Sequence, residues 1–168
     1  MLDLKAIDMY SETEKPGSCF PIETQKIIRD RYEFAATLVY GKKILEVGSG
    51  AGFGVKYLSK YSKVMHCLEY SVQNIKLIKS KKFSKAIIRQ GDAHRTSYKA
   101  NSFDVIVALA MIYYLNYDTF IAEVNRILRK DGTLFFCMSN KDVPGFVPAP
   151  YTTQYFSIPE IWEKMSLA

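Results

Sequence analysis

The stretch Glu46-Val47-Gly48-Ser49-Gly50-Ala51-Gly52 is where this chain is best equipped to do chemistry. It follows the apolar pair Ile44-Leu45 and leads into residues 53–60, which read as a helix. A strand ending in an acidic residue and a glycine-dense turn lets a small ligand approach the main chain, since glycine has no Cβ to obstruct it. The spacing argues against one kind of loop. The G-x-G-x-x-G pattern of dinucleotide sites needs a third glycine where this chain has Phe53 or, counted from Gly50, Val55. Two more carboxylates sit just past apolar runs: Glu69 after Leu68, and Asp92 within Gly91-Asp92-Ala93.

Short apolar runs alternate with amphipathic stretches, the pattern of a parallel sheet covered by helices, so the fold class is α/β. Strands are predicted near Lys43–Val47, Lys63–Leu68, Ala86–Gln90, Phe103–Leu109 and Thr133–Ser139. Helices are predicted near Ile22–Leu38, Gly54–Lys60, Val72–Ser80 and Tyr117–Arg129. In the last of these Phe120, Ile121, Val124, Ile127 and Leu128 recur at helical spacing, and Asp131-Gly132 is expected to turn the chain into the next strand. Pro144, Gly145, Pro148 and Pro150 make residues 140–155 a loop, after which Ser157 and Glu160 form the capping box of a terminal helix. In open α/β sheets ligands lie beyond the carboxyl ends of the strands. The glycine loop, Glu69 and Asp92 all fall there.

The ordered set (E/D-x-G-x-G-x-G at Glu46 to Gly52, then Glu69, then Gly91-Asp92-Ala93, then residues 101–109) resembles the class I S-adenosylmethionine-dependent methyltransferases, of the type that acts on small molecules. The resemblance extends from about Lys42 to Asn140. It implies a three-layer Rossmann-like sandwich with a mostly parallel sheet, S-adenosyl-L-methionine as cofactor, and in-line methyl transfer to oxygen or nitrogen of a small-molecule acceptor. By the same resemblance the backbone of Gly48, Ser49, Gly50 and Gly52 approaches the methionyl part, and Glu46 fixes the loop and the amino group. Glu69 takes the ribose hydroxyls and Tyr70 packs near the adenine. Asp92 takes the adenine amino group, the amide of Ala93 reads a ring nitrogen, and carbonyls around Ala108 and Leu109 accept from the methionyl ammonium. Tyr113, Tyr10 and Tyr151 are candidate acceptor contacts. No catalytic base is assigned, because many relatives carry histidine near Met111–Tyr114 and this chain has tyrosines. His94 reads as facing solvent and His66 as structural. The last two strands of the family fold form an antiparallel hairpin, and that hairpin is expected to be missing here. The chain reads as C-terminally short, leaving residues 132–139 as an apolar edge through which two copies could pair.

Composition bounds the rest. With 168 residues, 48% apolar and 24% charged, one globular domain is expected: residues 1–40 a helical lid segment, 41–140 the cofactor-binding core, 141–168 an acceptor loop and terminal helix. No apolar run nears the roughly 20 residues that span a bilayer, and the start has no signal-peptide centre. Three unclustered cysteines suggest free thiols in a cytoplasmic protein and no metal site. The net charge of +6 suggests nucleic acid, yet the lysines gather at strand starts and the preceding helix ends, on the rim away from the glycine loop, which argues against such a partner. Two other readings stay open: a non-catalytic S-adenosylmethionine-binding domain of a larger protein, and an RNA or protein methyltransferase.

Overall fold

In the computed structural model, which describes residues 22–83, 85–149 and 152–167, five strands form one all-parallel sheet. They are β1 (Lys43–Val47), β2 (Val64–Glu69), β3 (Ala86–Gln90), β4 (Phe103–Leu109) and β5 (Leu128–Cys137), in the order β3-β2-β1-β4-β5. The helices are α1 (Ile22–Leu38), α2 (Phe53–Leu58), α3 (Val72–Ser80), α4 (Tyr117–Ile127) and α5 (Ile158–Ser166).

Successive residues of a strand point to opposite faces, and here both faces are covered. Ile44, Met65, Cys67, Val105 and Val107 pack with Ile28, Tyr32 and Ala35 of α1, Val55 and Leu58 of α2 and Ile78 of α3. Leu45, Val47, Leu68, Ile106 and Ala108 face the other way, onto Phe120, Ile121, Val124 and Ile127 of α4. Near-continuous apolar runs such as residues 103–109 are what a strand buried on both sides requires. The three-layer α/β sandwich expected from the sequence is the architecture found.

The largest boundary difference is at the junction of α4 and β5. The helix expected to reach Arg129 stops at Ile127, and Leu128 already has extended geometry, with φ −76° and ψ 144°. The β4–β5 ladder pairs Phe103 with Leu128, breaks, and resumes at Val105 and Thr133. Residues 129–132 therefore bulge, and Asp104 holds the bulge from the opposing strand: it accepts from the Lys43 amide at 2.8 Å and pairs with Arg129. Asp131-Gly132 lies inside the bulge and does not end the helix. The capping box of α5 forms as expected, Ser157 Oγ accepting from the Glu160 amide at 3.2 Å and Glu160 Oε2 from the Ser157 amide at 2.8 Å.

Among the described residues no strand pairs with the outer edge of β5, and no helix is long and apolar enough to cross a membrane. The segment after β5 returns to the sheet end: Asn140 bridges to Phe156, and Lys141 Nζ meets Glu160 Oε1 at 2.5 Å.

A buried carboxylate fixes the loop after β3. Glu123 of α4, 8% exposed, accepts from the amide and hydroxyl of Thr96 at 2.7 and 2.6 Å and from Arg126 Nε and Nη2 at 2.7 Å. Burial works against its charge, but the bonds from Arg126 and Thr96 outweigh that and hold its carboxyl below the ordinary glutamate value. A carboxyl depressed on folding stabilises above its unfolded pKa and ceases to do so as pH falls through the folded value. The Glu123→Gln variant should therefore be less stable than the parent by about 2 kcal/mol at neutral pH, with the gap closing in acid, below the ordinary glutamate value. Urea midpoints of both proteins at neutral and acid pH check this, and a gap independent of pH would contradict it.

Candidate functional site

The sheet has one topological switch point: from β1 the chain winds outward through β2 to β3, then returns past β1 to β4. At such a point the loops leaving neighbouring strands part, opening a crevice at the carboxyl ends. The β1–β4 ladder ends at Glu46 and Val107, and beyond it Ala108 and Leu109 pair only with β5.

The glycine loop fills that opening with backbone. Gly48, Gly50 and Gly52 have φ of 69°, 52° and 82°, so every second residue is left-handed, where a side chain would be strained. Nothing lies within 4 Å of the Cβ position of Gly50, whereas that of Gly48 is 3.1 Å from Met111. The loop is thus roofed at Gly48 and open at Gly50. Within it the Gly52 amide donates to the Ser49 carbonyl at 2.9 Å, and the buried Ser49 hydroxyl to the Glu46 carbonyl at 3.3 Å.

Glu69, at the tip of β2 and 7% exposed, holds this loop. Its Oε2 accepts from the Gly50 amide and its Oε1 from the Ser71 amide, each at 2.8 Å. Burial raises its carboxyl above the ordinary glutamate value, opposed by those two amides and by Asn74. From the far side Lys81 Nζ donates to the Ala51 carbonyl at 2.7 Å.

The loop after β3 continues the rim. Gly91 lies against Leu68, whose Cδ1 would sit 2.7 Å from a Cβ there. Asp92 is about half exposed, and Ala93 packs onto the core under α4. Tyr70 is 43% exposed, with its carbonyl accepting from Gln90 Nε2 at 3.4 Å.

Other expectations divide. Glu46 is 1% exposed and lies beneath the start of α2, against Gly54. His66 is buried edge-on to Tyr98 and Phe103 with ring centroids 5.3 Å apart, and burial, then Lys43 and Arg89, lower its pKa to about 4. It stays neutral and structural. His94 does not point into solvent as the sequence suggested: its ring is 20% exposed and engaged at both nitrogens. Tyr113 stacks on Tyr155 at 5.1 Å, and Phe146 meets Tyr155 edge-on at 4.7 Å. The expected acceptor loop is pinned near its end, the Thr153 amide reaching the Tyr113 carbonyl at 2.7 Å and Thr153 Oγ1 the Leu115 carbonyl at 2.8 Å. Tyr10 and Tyr151 lie outside the described residues.

Two positions were missed. Ala110 has φ of 54°, which folds the chain back after β4 and sets Met111 over Gly48. Gly54 continues the alternation of Gly48, Gly50 and Gly52, and that repeat was the available signal. A Cβ there would overlap the Glu46 carboxylate and the Tyr32 ring.

Comparison with known proteins agrees with the fold. Residues 45–136 match the family described as "Methyltransferase domain". The chain is similar to the phthiotriol/phenolphthiotriol dimycocerosates methyltransferase of Mycobacterium leprae, 30% identical over 137 residues, 76% of this chain and 51% of that protein. It is 23% identical over 141 residues to the ubiquinone biosynthesis O-methyltransferase of Actinobacillus pleuropneumoniae, covering 78% of this chain and 60% of that one. Among solved structures, a SAM-dependent methyltransferase from Aquifex aeolicus superposes with a TM-score of 0.71 at 18% identity, covering 99% of this chain and 87% of that one. The chain spans about half the length of the curated relatives it matches.

The crowding at Gly54 has a measurable consequence. Gly54→Ala must displace two nearly fully buried side chains and should cost about 2–3 kcal/mol, whereas Gly50→Ala meets open space and should cost about 1 kcal/mol for its left-handed backbone alone. Denaturant unfolding of the two variants tests this. Equal losses would remove the packing argument for Gly54.

Proposed function

The chain belongs to the class I S-adenosylmethionine-dependent methyltransferase family, and we propose that it binds S-adenosyl-L-methionine at the switch point and transfers its methyl group to a small-molecule acceptor. The observation that carries this reading is the pairing of an open, left-handed Gly50 with the buried Glu69 carboxylate bonded to its amide.

The donor set fits the cofactor. Glu69 stands at the tip of β2 with its carboxylate held by the Gly50 and Ser71 amides and by Asn74, and a carboxylate is the acceptor that ribose hydroxyls require. Asp92 Oδ1 is taken by His94, and Oδ2 makes no hydrogen bond to another described residue, so it is available to an exocyclic amino group. Gly48, Ser49, Gly50 and Gly52 give the methionyl part a close approach to backbone, with Ala108 and Leu109 opposite, where β1 and β4 part. Glu46 supports the loop from below, while Tyr70 and Ala93 flank the base.

When bound, the cofactor supplies a methyl group on a sulfonium, an electrophile that needs little more than an aligned nucleophile in a dry site. The protein's part is to hold the acceptor in line and keep water out. Tyr113 and its neighbours Tyr114, Phe146 and Tyr155 form an aromatic wall beside Met111 that suits an apolar or aromatic acceptor. The names of the relatives, a phthiotriol/phenolphthiotriol dimycocerosates methyltransferase and a ubiquinone biosynthesis O-methyltransferase, support a small acceptor. So does charge placement: Lys43, Arg129 and Lys130 open strands, and Lys63 and Lys85 immediately precede them, at the end of the sheet away from Gly50.

Calorimetric titration should give binding of S-adenosylmethionine and none of NAD; the reverse would overturn the proposal. Glu69→Ala should weaken cofactor binding by about 1.5–3 kcal/mol, the worth of hydrogen bonds to a charged group, and unchanged affinity would remove Glu69 from the site. Affinity should also fall with acidification. Hydroxyls donating to the ionised carboxylate lower its pKa in the complex, so protons compete with the ligand below the raised value of the free protein.

A further inference from the structure

We propose that His94 is a positioning residue that locks the loop after β3 to the loop after β4, so that the base side and the acceptor side of the site are set together. The inference rests on the cofactor reading above and names a tie that the reading does not require.

The hydrogen bonds fix the state of the ring. The Asn116 amide, a donor, meets His94 Nε2 at 3.0 Å, so Nε2 accepts. In the neutral imidazole the proton is then on Nδ1, which lies 2.7 Å from Asp92 Oδ1 and donates to it. One tautomer satisfies both partners. The His94 amide donates to the same Oδ1 at 2.9 Å, so this one residue occupies that oxygen twice and fixes which carboxylate oxygen faces outward. The ring is 20% exposed, less than the 52% of the carboxylate it holds.

Asn116 is equally committed. It is the N-cap of α4, its Oδ1 accepting from the Thr119 amide at 3.0 Å and the Thr119 hydroxyl at 2.9 Å. The chain just before it carries Met111, which roofs Gly48, and Tyr113, which stacks on Tyr155. β3 and β4 are not neighbours: β2 and β1 lie between them. Their loops therefore have no ladder to register them. The sequence expectation that His94 faces solvent left this connection out.

Two substitutions separate the halves of the tie. An asparagine amide sits near the position of Nδ1, so His94→Asn can still donate to Asp92 but cannot reach Asn116. A glutamine carbonyl sits near Nε2, so His94→Gln can still accept from Asn116 but gives up Asp92. The measurements are calorimetric affinity for S-adenosylhomocysteine and hydrogen exchange of the Asn116 amide by NMR, on the full chain. His94→Asn should keep its affinity within about twofold while the Asn116 amide exchanges about tenfold faster, and His94→Gln should keep amide protection while affinity falls about five- to tenfold, as loss of one hydrogen bond allows. Both variants matching the parent in both measurements would overturn the proposal, as would both losing both properties equally, the sign of general loosening. If the parent itself fails to bind S-adenosylhomocysteine, the cofactor reading falls and the ligand half of this inference with it. The exchange measurement would still decide whether the tie exists.

Discussion

A carboxylate withdrawn from water must be given hydrogen bonds or lose its charge, and the end of the sheet that carries the candidate site is organised around that demand at Glu69. Its two oxygens bond the amides of Gly50 and Ser71. Those amides converge because β1 and β2 run parallel in a register that sets Val47 beside Leu68, so the turn leaving one strand lies over the tip of the other. The Gly48 amide completes the join by donating to the Leu68 carbonyl at 2.9 Å. Glycine at positions 48, 50 and 52 permits the loop conformation; the carboxylate selects it. The same burial that makes these bonds worth forming raises the pKa of the group, leaving it poised for further donors.

On the other side of β1 the crevice is opened by a strand that outruns its neighbour. β4 continues past the end of its pairing with β1 and then turns at Ala110, a residue with a Cβ in the left-handed region, at a cost on the order of 1 kcal/mol. The Ala110 amide is held by the Cys137 carbonyl of β5 at 2.9 Å, so the edge strand stabilises the turn from outside. Two left-handed turns therefore face each other across the switch point, one glycine-based and one imposed by its surroundings. Met111 fills the narrow end between them, and Gly50 marks the open end.

Most of the frame was legible because it follows from periodicity and composition. The bounds of β1, β3, β4, α1 and α3 coincide with those read from the sequence, since each is a clean apolar or amphipathic run between turn residues. Glu69 and Asp92 could be singled out as candidates because ligands lie beyond the strand ends in this architecture. What escaped was tertiary. Leu128 has helical spacing and good helix propensity, but its pairing with Phe103 and the Asp104–Arg129 contact draw it into β5. Gly54 looks like an ordinary first-turn residue until the Glu46 carboxylate and the Tyr32 ring occupy the space where its side chain would be. His94 carries no local signal, because its second partner lies 22 residues further along the chain.

Beyond the strand ends the ladder no longer satisfies main-chain groups, and each N–H or C=O there must find another partner. The sheet's carboxyl edge meets this requirement with side chains borrowed from other elements. Glu123 takes the Thr96 amide, His94 the Asn116 amide, Glu69 the Gly50 amide, and Thr153 and Gln154 reach the Leu115 carbonyl at 2.8 and 3.0 Å. Each bond joins two segments that end or follow different strands. A loop satisfied only within itself could shift without consequence to its neighbours; here, moving one strips a hydrogen bond from another, and the buried acceptors make that loss more costly than it would be in water. The parallel sheet brings the loops to one edge, but sequence-distant side-chain bonds hold them in mutual register, which is why this site depends on residues that need never touch a ligand.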